Sequence, residues 1–435
     1  MSSGVSVVIL AAGKGTRMKS ARPKVLHELC GRTLIAWVVD QACALDPDRI
    51  IVVVGEGAED VERVAREAAG EREFHAVLQE PQKGTGHALQ IAAPALGPSP
   101  GRVVVLYGDM PLLRAESLES LLAATDDAQA TAILTVWSDD PTGYGRILRD
   151  EHGAFRGIVE EKDASPEERD IGEINLGVYA FAGEELLADL PKLECANAQG
   201  EYYLTDLPGL AVAAGRPVHL VELEDPEEGQ GVNTIAHLAE ARWAMQLRIL
   251  ERHMDAGVSI EDPATTYIAS GVAIGAGTRI LPLTVIEGGV TIGAGCEVGP
   301  FTRLRRGTVL ADGAEVGNFT ECKNTTLGEN SKAKHLAYLG DARIGKRTNI
   351  GAGTIFANYD GKTKHQTVVG DDAFVGSGTI IIAPNSIPDG VTTGAGAVVT
   401  RSAKPAAGET WVGMPARRME SKTREPREPR ENGER

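Results

Sequence analysis

Aromatic side chains make up only 4% of the 435 residues, while glycine contributes 51 of them. So few rings and so many glycines argue against a bulky aromatic core and favour tight turns and thin layers. Cysteine is equally sparse: Cys30, Cys43, Cys195, Cys296 and Cys322 are odd in number, scattered, and form no CxxC pair. That argues against a disulfide framework or a cysteine-built zinc site and fits a reducing cytosol. Basic residues are outnumbered, 44 against 61, for a net charge of −17. Nucleic acid and anionic membranes both need a broad basic surface, so neither is an expected partner. A phosphorylated small molecule stays compatible, because a few local cations decide its binding. Long apolar runs are missing too. The first, "VSVVILAAG" from Val5, has no basic flank and ends in glycine. It is too short to span a bilayer and reads as a buried strand rather than a signal peptide. The chain is expected to be soluble and cytoplasmic, with no membrane insertion.

What is present divides in two, as the length leads one to expect. Residues 5 to about 230 alternate β-branched runs ("VSVVIL", "RIIVVVG", "RVVVLYGD", "ATAILTV") with helical patterns such as "TLIAWVVDQACAL". Continuous apolar strands alternating with helices imply an α/β domain with a mostly parallel, Rossmann-like sheet covered on both faces. Ligands of such sheets bind at the C-terminal strand ends. Asn233 closes this region, and Ile235, Leu238, Ala241, Met245 and Ile249 then mark one face of a linking helix over 234–257. From Ile274 the period becomes six: Ile274, Ile280, Ile286, Ile292, Val298, Leu304, Leu310, Val316 and Cys322 follow at equal steps. The register resumes at Val369, Val375, Ile381 and Ile387. Hexapeptide repeats mark a parallel β-helix, here expected over 258–416, whose inward aliphatics stack coil upon coil. Residues 417–435 have mixed charge and no apolar face and read as a disordered tail.

Three N-terminal stretches carry candidate chemistry. In "LAAGKGTRM", Gly13 and Gly15 let the backbone approach a ligand. Met18 stands where a dinucleotide fingerprint needs glycine, and no GK[ST] follows for a phosphate-binding P-loop. A simple strand-to-helix turn is the competing reading. Arg17 and Lys24 tilt the balance towards a phosphate site, since cations beside such a loop want anions. In "YGDMP", Asp109 follows an apolar strand directly, a placement suited to a Mg²⁺–phosphate complex or, alternatively, to a turn or helix cap. "QKGTGHA" is a further glycine-bracketed loop, suited to a planar base.

In the second region, "KAKHLAYLG" (332–340) breaks the wallpaper where the six-step register slips, from Cys322 to Leu327 and from Leu339 to Ile344. A lone histidine in a repeat is commonly a surface residue. Here Arg305, Lys323, Lys332, Lys334, Tyr338, Asn349 and Lys364 come from nearby coils. Residues about eighteen apart should stack at about 4.8 Å, so this cluster of cations beside one imidazole suits a phosphorylated substrate carrying an amine.

"LAAGKGTRM", "PKVLH", "GTGHA", "YGDMP", "PTGYGRI", "GIVEEKDA", "EINLGVYAF", "QGEYYLTDL" and "GVNT", in that order, resemble the sugar-nucleotide pyrophosphorylases. The likeness is specifically to the bifunctional N-acetylglucosamine-1-phosphate uridylyltransferase/glucosamine-1-phosphate N-acetyltransferase family, and it runs over nearly all of 5–420. The resemblance implies a nucleotidyltransferase domain over 1–233 and a left-handed β-helix acetyltransferase domain. The substrates it implies are UTP, acetyl-CoA, glucosamine 1-phosphate and N-acetylglucosamine 1-phosphate, with Mg²⁺ as cofactor. Leu10, Ala11, Ala12 and Gly13 would form the nucleotide loop, with Arg17 and Lys24 acting on phosphates. Gln79, Gly84 and Thr85 would surround uracil, and Tyr107 and Gly108 the nucleotide. Gly145, Glu160 and Asn175 would hold the sugar, and Asp109 and Asn233 the Mg²⁺. In the acetyltransferase, His335 would be the general base, and Arg305, Lys323 and Lys364 would bind the sugar phosphate. Tyr338 and Asn349 would orient the sugar. An extruded loop, "FANYDGKTKHQT", would bring Asn358 and Tyr359, while Ala352, Ser377 and Ala395 line the acetyl-CoA groove. Family members are trimers with the acetyl-transfer site between subunits. His365 is a rival base ranked below His335. One departure is Gly413, where the family often has a coenzyme-binding arginine; Arg401, Arg417 or Arg418 would have to substitute. Two other readings compete: an inert trimerising β-helix behind a uridylyltransferase, and a pyrophosphorylase for another sugar or base.

Overall fold

The computed structural model describes residues 4–127 and 129–419, so the C-terminal tail reading falls almost wholly outside the described residues. The chain forms two compact units, 1–245 and 246–435.

The strands of the first unit are β1 (Val5–Leu10), β2 (Glu28–Leu29), β3 (Arg32–Thr33), β4 (Arg49–Val54), β5 (Glu73–Leu78), β6 (Arg102–Tyr107), β7 (Thr131–Trp137), β8 (Gly145–Arg149), β9 (Phe155–Val159), β10 (Glu173–Ala182) and β11 (Val218–Glu222). Its main sheet has the order β11-β7-β10-β6-β1-β4-β5. The run β6-β1-β4-β5 is parallel, and apolar side chains cover both faces as two separate clusters. The "TLIAWVVDQACAL" pattern becomes a helix at Leu34–Ala44, capped by the Thr33 hydroxyl on the Ala36 N–H at 3.3 Å. Within this mostly parallel sheet, one central strand runs against its neighbours. β10 is buried along its whole length and runs antiparallel to both β6 and β7. Its apolar run shows burial but not direction, because both kinds of pairing bury such a strand here. β10 also pairs with β8, which brings Asn175 beside Gly145.

The helix Ile235–Asp255 follows. Leu238, Ala241, Met245 and Ile249 are buried as the spacing predicts, whereas Ile235 is 54% exposed.

The second unit is a left-handed parallel β-helix of mostly very short strands. Three inward columns run through it. One passes through Ile280, Val298, Val316, Ala333, Ile350 and Val375. Another passes through Ile286, Leu304, Cys322 and Leu339, and the third through Ile292, Leu310, Leu327, Ile344, Val369 and Ile387. All are buried, each worth ~1.5–3 kcal/mol for a large aliphatic side chain. The usual coil step is 18 residues, as from Val298 to Val316, but it drops to 17 from Val316 to Ala333 and on to Ile350. The next step, Ile350 to Val375, is longer because the segment 358–366 loops out.

Candidate functional sites

The C-terminal ends of β1 and β6 open onto a cleft of about 650 Å³. The loop after β1 supplies Leu10, Ala11, Ala12 and Gly13 to its wall, and the Gly108 N–H donates to Leu10 O at 3.0 Å, tying the two strand ends together. Gly84 sits at φ 102 at the start of the helix Thr85–Leu96, where an added Cβ would meet Tyr202 O at 2.6 Å. Glycine is therefore required there. Gln79 Nε2 donates to Gly84 O at 2.9 Å, which fixes the side of the cleft assigned to a base.

The charged floor is tightly knit. Lys24 Nζ donates to Asp109 Oδ2 and, at 3.0 Å, to Asn233 Oδ1. Arg17 Nη2 reaches the same Asn233 oxygen at 2.9 Å, although Arg17 itself stands outside the cleft wall. Asp109 and Asn233, 124 positions apart in sequence, thus present oxygen atoms around one positive charge. Such a pair of hard oxygens fits Mg²⁺, which takes few protein ligands and completes its shell with phosphate and water.

At the far end, Gly145, Glu160 and Asn175 line the cleft. Burial, followed by the nearby Asp163 and Asp206 charges, raises Glu160 above the usual carboxylate range, against a Thr205 hydroxyl hydrogen bond of 3.1 Å. Asn175 uses its amide on Tyr179 Oη at 2.8 Å and its carbonyl on the Gly177 N–H at 3.0 Å. Burial also lifts Tyr107 far above an ordinary phenol. Tyr144, Glu201 and Thr205 line the cleft without having been singled out. Each lies inside a motif quoted above, and cleft-facing positions within those motifs were not distinguishable by residue type.

In the β-helix, His335 Nδ1 lies 3.2 Å from Asn318 Oδ1. A carbonyl oxygen only accepts, so Nδ1 carries the proton and Nε2 presents its lone pair. Asn318 was missed because it lies 17, not 18, residues before His335. Lys332 and Lys334, drawn into the cation cluster from sequence, turn out to be ion-paired. Lys332 reaches Glu315 at 2.9 Å, and Lys334 reaches Glu315 at 2.5 Å and Glu297 at 3.4 Å. Cross-coil glutamates thus account for both lysines.

The other cations gather around Gly340, the residue paired with Lys323, where an added Cβ would meet Asn358 Nδ2 at 2.6 Å and the Tyr338 hydroxyl at 2.7 Å. Lys364 stands against Lys323 and depresses its ammonium, with Arg305 adding to the effect. Arg305 also pairs with Glu321 at 2.9 Å. Asn349 pairs with Lys332 and Phe374 in a different sheet, away from the Lys323 strand. His335 makes its side-chain contact with Asn318 rather than with one of these cations. Ala352, Ser377 and Ala395 stack on successive coils, joined by Gly378 N–H to Ala352 O at 2.7 Å and Gly396 N–H to Ser377 O at 2.8 Å. The register Thr393–Trp411 makes Gly413 the next rung.

Comparison with known proteins agrees with both halves. The family model for the MobA-like NTP transferase domain matches residues 7–206, and that for bacterial transferase hexapeptides (six repeats) matches 271–306. Proteins named "Bifunctional protein GlmU" are similar along almost the whole chain. That of Thermobifida fusca (strain YX) is 43% identical over 442 residues, covering 92% of this chain and 90% of its own. That of Alkalilimnicola ehrlichii is 44% identical with 93% of each chain covered. That of Burkholderia pseudomallei (strain 668) is 46% identical, covering 91% and 93%.

Proposed function

The chain belongs to the bifunctional GlmU family, and we propose that its two units divide the family's two reactions, with uridylyl transfer in residues 1–233 and acetyl transfer in 258–416. Together they make UDP-N-acetylglucosamine: acetyl-CoA acylates glucosamine 1-phosphate, and the product then takes a uridylyl group from UTP with release of pyrophosphate. The observation carrying the assignment is the pair of chemically distinct centres, Lys24–Asp109–Asn233 in the cleft and His335–Asn318 on the β-helix.

In the first centre, a phosphate oxygen of N-acetylglucosamine 1-phosphate attacks the α-phosphorus of UTP and pyrophosphate leaves. The task is to align two polyanions and neutralise the charge that builds at phosphorus. Lys24 and Arg17 supply positive charge, the 10–13 loop and Gly84–Thr85 hold the nucleotide, and Gly145, Glu160 and Asn175 hold the sugar. Asp109 and Asn233 would hold Mg²⁺, which when bound would neutralise phosphate charge.

In the second centre, His335 Nε2 takes a proton from the amine of glucosamine 1-phosphate as nitrogen attacks the thioester carbonyl. The coenzyme thiolate leaves. Lys323, Lys364 and Arg305 bind the phosphate, Tyr338 and Asn349 orient the sugar, and Ala352, Asn358, Tyr359, Ser377 and Ala395 form the coenzyme groove. The working form is a homotrimer in which His335 meets cations of a neighbouring copy. An exposed apolar ladder supports this. Leu283, Phe301, Phe319 and Leu336 are 44–63% exposed, and all four hold positive φ, a backbone state costing bulky side chains about 1–2 kcal/mol each. Phe301 and Phe319 stack at 5.0 Å. The cytoplasm, where cysteines such as Cys43, Cys195, Cys296 and Cys322 stay reduced, is the compartment of this reading; among the described residues no helix is long and apolar enough to cross a membrane.

The test is to assay thiol release and pyrophosphate release separately on the purified chain. His335→Ala should abolish the first and spare the second. Loss of neither would return the β-helix to the role of a scaffold.

A further inference from the structure

Where the hexapeptide register is interrupted, the loop 358–366 starts from the buried Asn358 and carries Tyr359 and Lys364 out of the solenoid, and its fold is organised around a single carboxylate. Asp360 Oδ1 accepts from the N–H groups of Lys362 at 2.9 Å and Thr363 at 2.8 Å. Its Oδ2 takes His365 Nε2 at 2.7 Å and the Thr363 hydroxyl at 3.4 Å. Arg401 approaches the same oxygen at 3.9 Å while its Nε donates to Ala383 O at 2.7 Å, so the carboxylate is linked to a neighbouring coil. The His365 N–H closes the loop base on Asn358 O at 2.7 Å, and Tyr359 bridges Lys364. These donors, the Thr363 N–H first and His365 next, hold Asp360 well below the usual carboxylate range.

The loop needs this clamp because of where it puts Lys364. Lys364 stands against Lys323, with Arg305 nearby. The adjacent carboxylate, Asp341, directs its oxygens to Asn324 at 2.8 Å and Asn358 at 2.6 Å. Two ammonium groups held close repel, and without the clamp the loop would be free to carry the exposed Lys364 away from Lys323. A bound phosphate removes the repulsion.

We propose that Asp360 and His365 are positioning residues for acetyl transfer, a clamp that holds Lys364 against Lys323 so that the phosphate of glucosamine 1-phosphate meets a preformed pair of cations. The inference rests on the acetyl-transfer reading of this unit. His365 acts here as a hydrogen-bond donor to Asp360 and not as the base.

The test measures acetyl-transfer KM and kcat in Asp360→Asn, His365→Ala and His365→Gln, alongside His335→Ala. Asp360→Asn and His365→Ala should raise the KM for glucosamine 1-phosphate about tenfold and leave kcat within about twofold. His365→Gln, whose amide still donates to Asp360, should stay near the parent. Trypsin should cut the Asp360→Asn loop at Lys362 or Lys364 faster than in the parent, with glucosamine 1-phosphate giving protection in the parent. An unchanged KM in Asp360→Asn overturns the clamp, and so does a kcat collapse shared by His365→Ala and His365→Gln, which would make the imidazole a proton carrier. If Asp360→Asn does not fold, the two His365 variants decide alone. Retained acetyl transfer in His335→Ala would instead overturn the underlying reading.

Discussion

His335 stands directly over Asn318 in the β-helix, and Asn318 Oδ1 lies 3.2 Å from its Nδ1. The contact selects the tautomer with a free Nε2 and fixes the plane of an exposed ring. Asn318→Ala removes that selection while leaving the imidazole in place. Acetyl-transfer kcat should fall roughly 10- to 100-fold, a fraction of a full general-base contribution, with pyrophosphate release unchanged. An unaltered kcat in a thiol-release assay would show that the ring is oriented by something else.

Asp109 is the carboxylate that Lys24 meets on the floor it shares with Asn233 and, through Asn233, with Arg17. Asp109→Asn keeps the shape but removes the charge that attracts a divalent cation. Uridylyl transfer should drop by about 100-fold or more and need more Mg²⁺ to reach its plateau, while acetyl transfer is untouched. Coincident Mg²⁺ titrations of variant and parent would remove Asp109 from the metal site.

These two centres differ in how far sequence alone reveals them. The cleft is legible because its residues sit at strand ends and on glycine turns, where local chemistry dictates position: Gly84 at φ 102 is an example. The β-helix columns are legible because inward aliphatics repeat at six. What fails is long-range pairing. Lys332 and Lys334 look like free cations because Glu315 and Glu297, which pair with them, lie one and two coils back. A shift of one residue per coil, from 18 to 17, hides Asn318 from any search at fixed period. The reversal of β10 is likewise silent, since a fully buried strand reads the same in either direction.

Glu160 links the sugar end of the cleft to pH. Burial, then Asp163 and Asp206, raises it above the usual carboxylate range. A raised folded value means the folded state keeps the proton to higher pH than the unfolded chain does. The resulting stability is fully present below the unfolded value and is lost as pH rises through the folded one. Glu160→Gln carries no charge to desolvate. Its melting temperature relative to the parent should therefore be higher at pH 8 than at pH 4, even as it binds N-acetylglucosamine 1-phosphate more weakly. A melting difference independent of pH would show that the carboxylate is not strained by burial.

Gly413 continues the ladder of Ala352, Ser377 and Ala395 proposed to hold the coenzyme but offers no charge. Of the arginines nearby, Arg401 is turned to Ala383 O and Asp360, and Arg418 to Glu409 at 3.1 Å. Arg417 pairs with Val412, next to Gly413, and its side chain donates to Ala416 O at 3.2 Å. Arg417→Ala should raise the KM for acetyl-CoA about tenfold, the scale of one charge-assisted phosphate contact, and should not alter the KM for glucosamine 1-phosphate. The same shift in Arg401→Ala but not Arg417→Ala would reassign the contact.

The apolar ladder gives the proposed trimer its own test. Phe301 and Phe319 stack at 5.0 Å yet remain 48% and 56% exposed, and both occupy a left-handed turn state that glycine or asparagine would fill more cheaply. Replacing Phe319 by Asn therefore relieves backbone cost in the isolated chain and removes apolar area from the surface. A residue needed only for folding would leave the size in solution unchanged. A residue of the trimer seam would instead leave a smaller species that forfeits the stability assembly lends the folded chain. Light scattering of Phe319→Asn should show the smaller species, with acetyl transfer reduced at least about tenfold because His335 loses the neighbouring cations, and with uridylyl transfer intact. A full-sized oligomer with unchanged acetyl transfer would place the seam on another face of the solenoid.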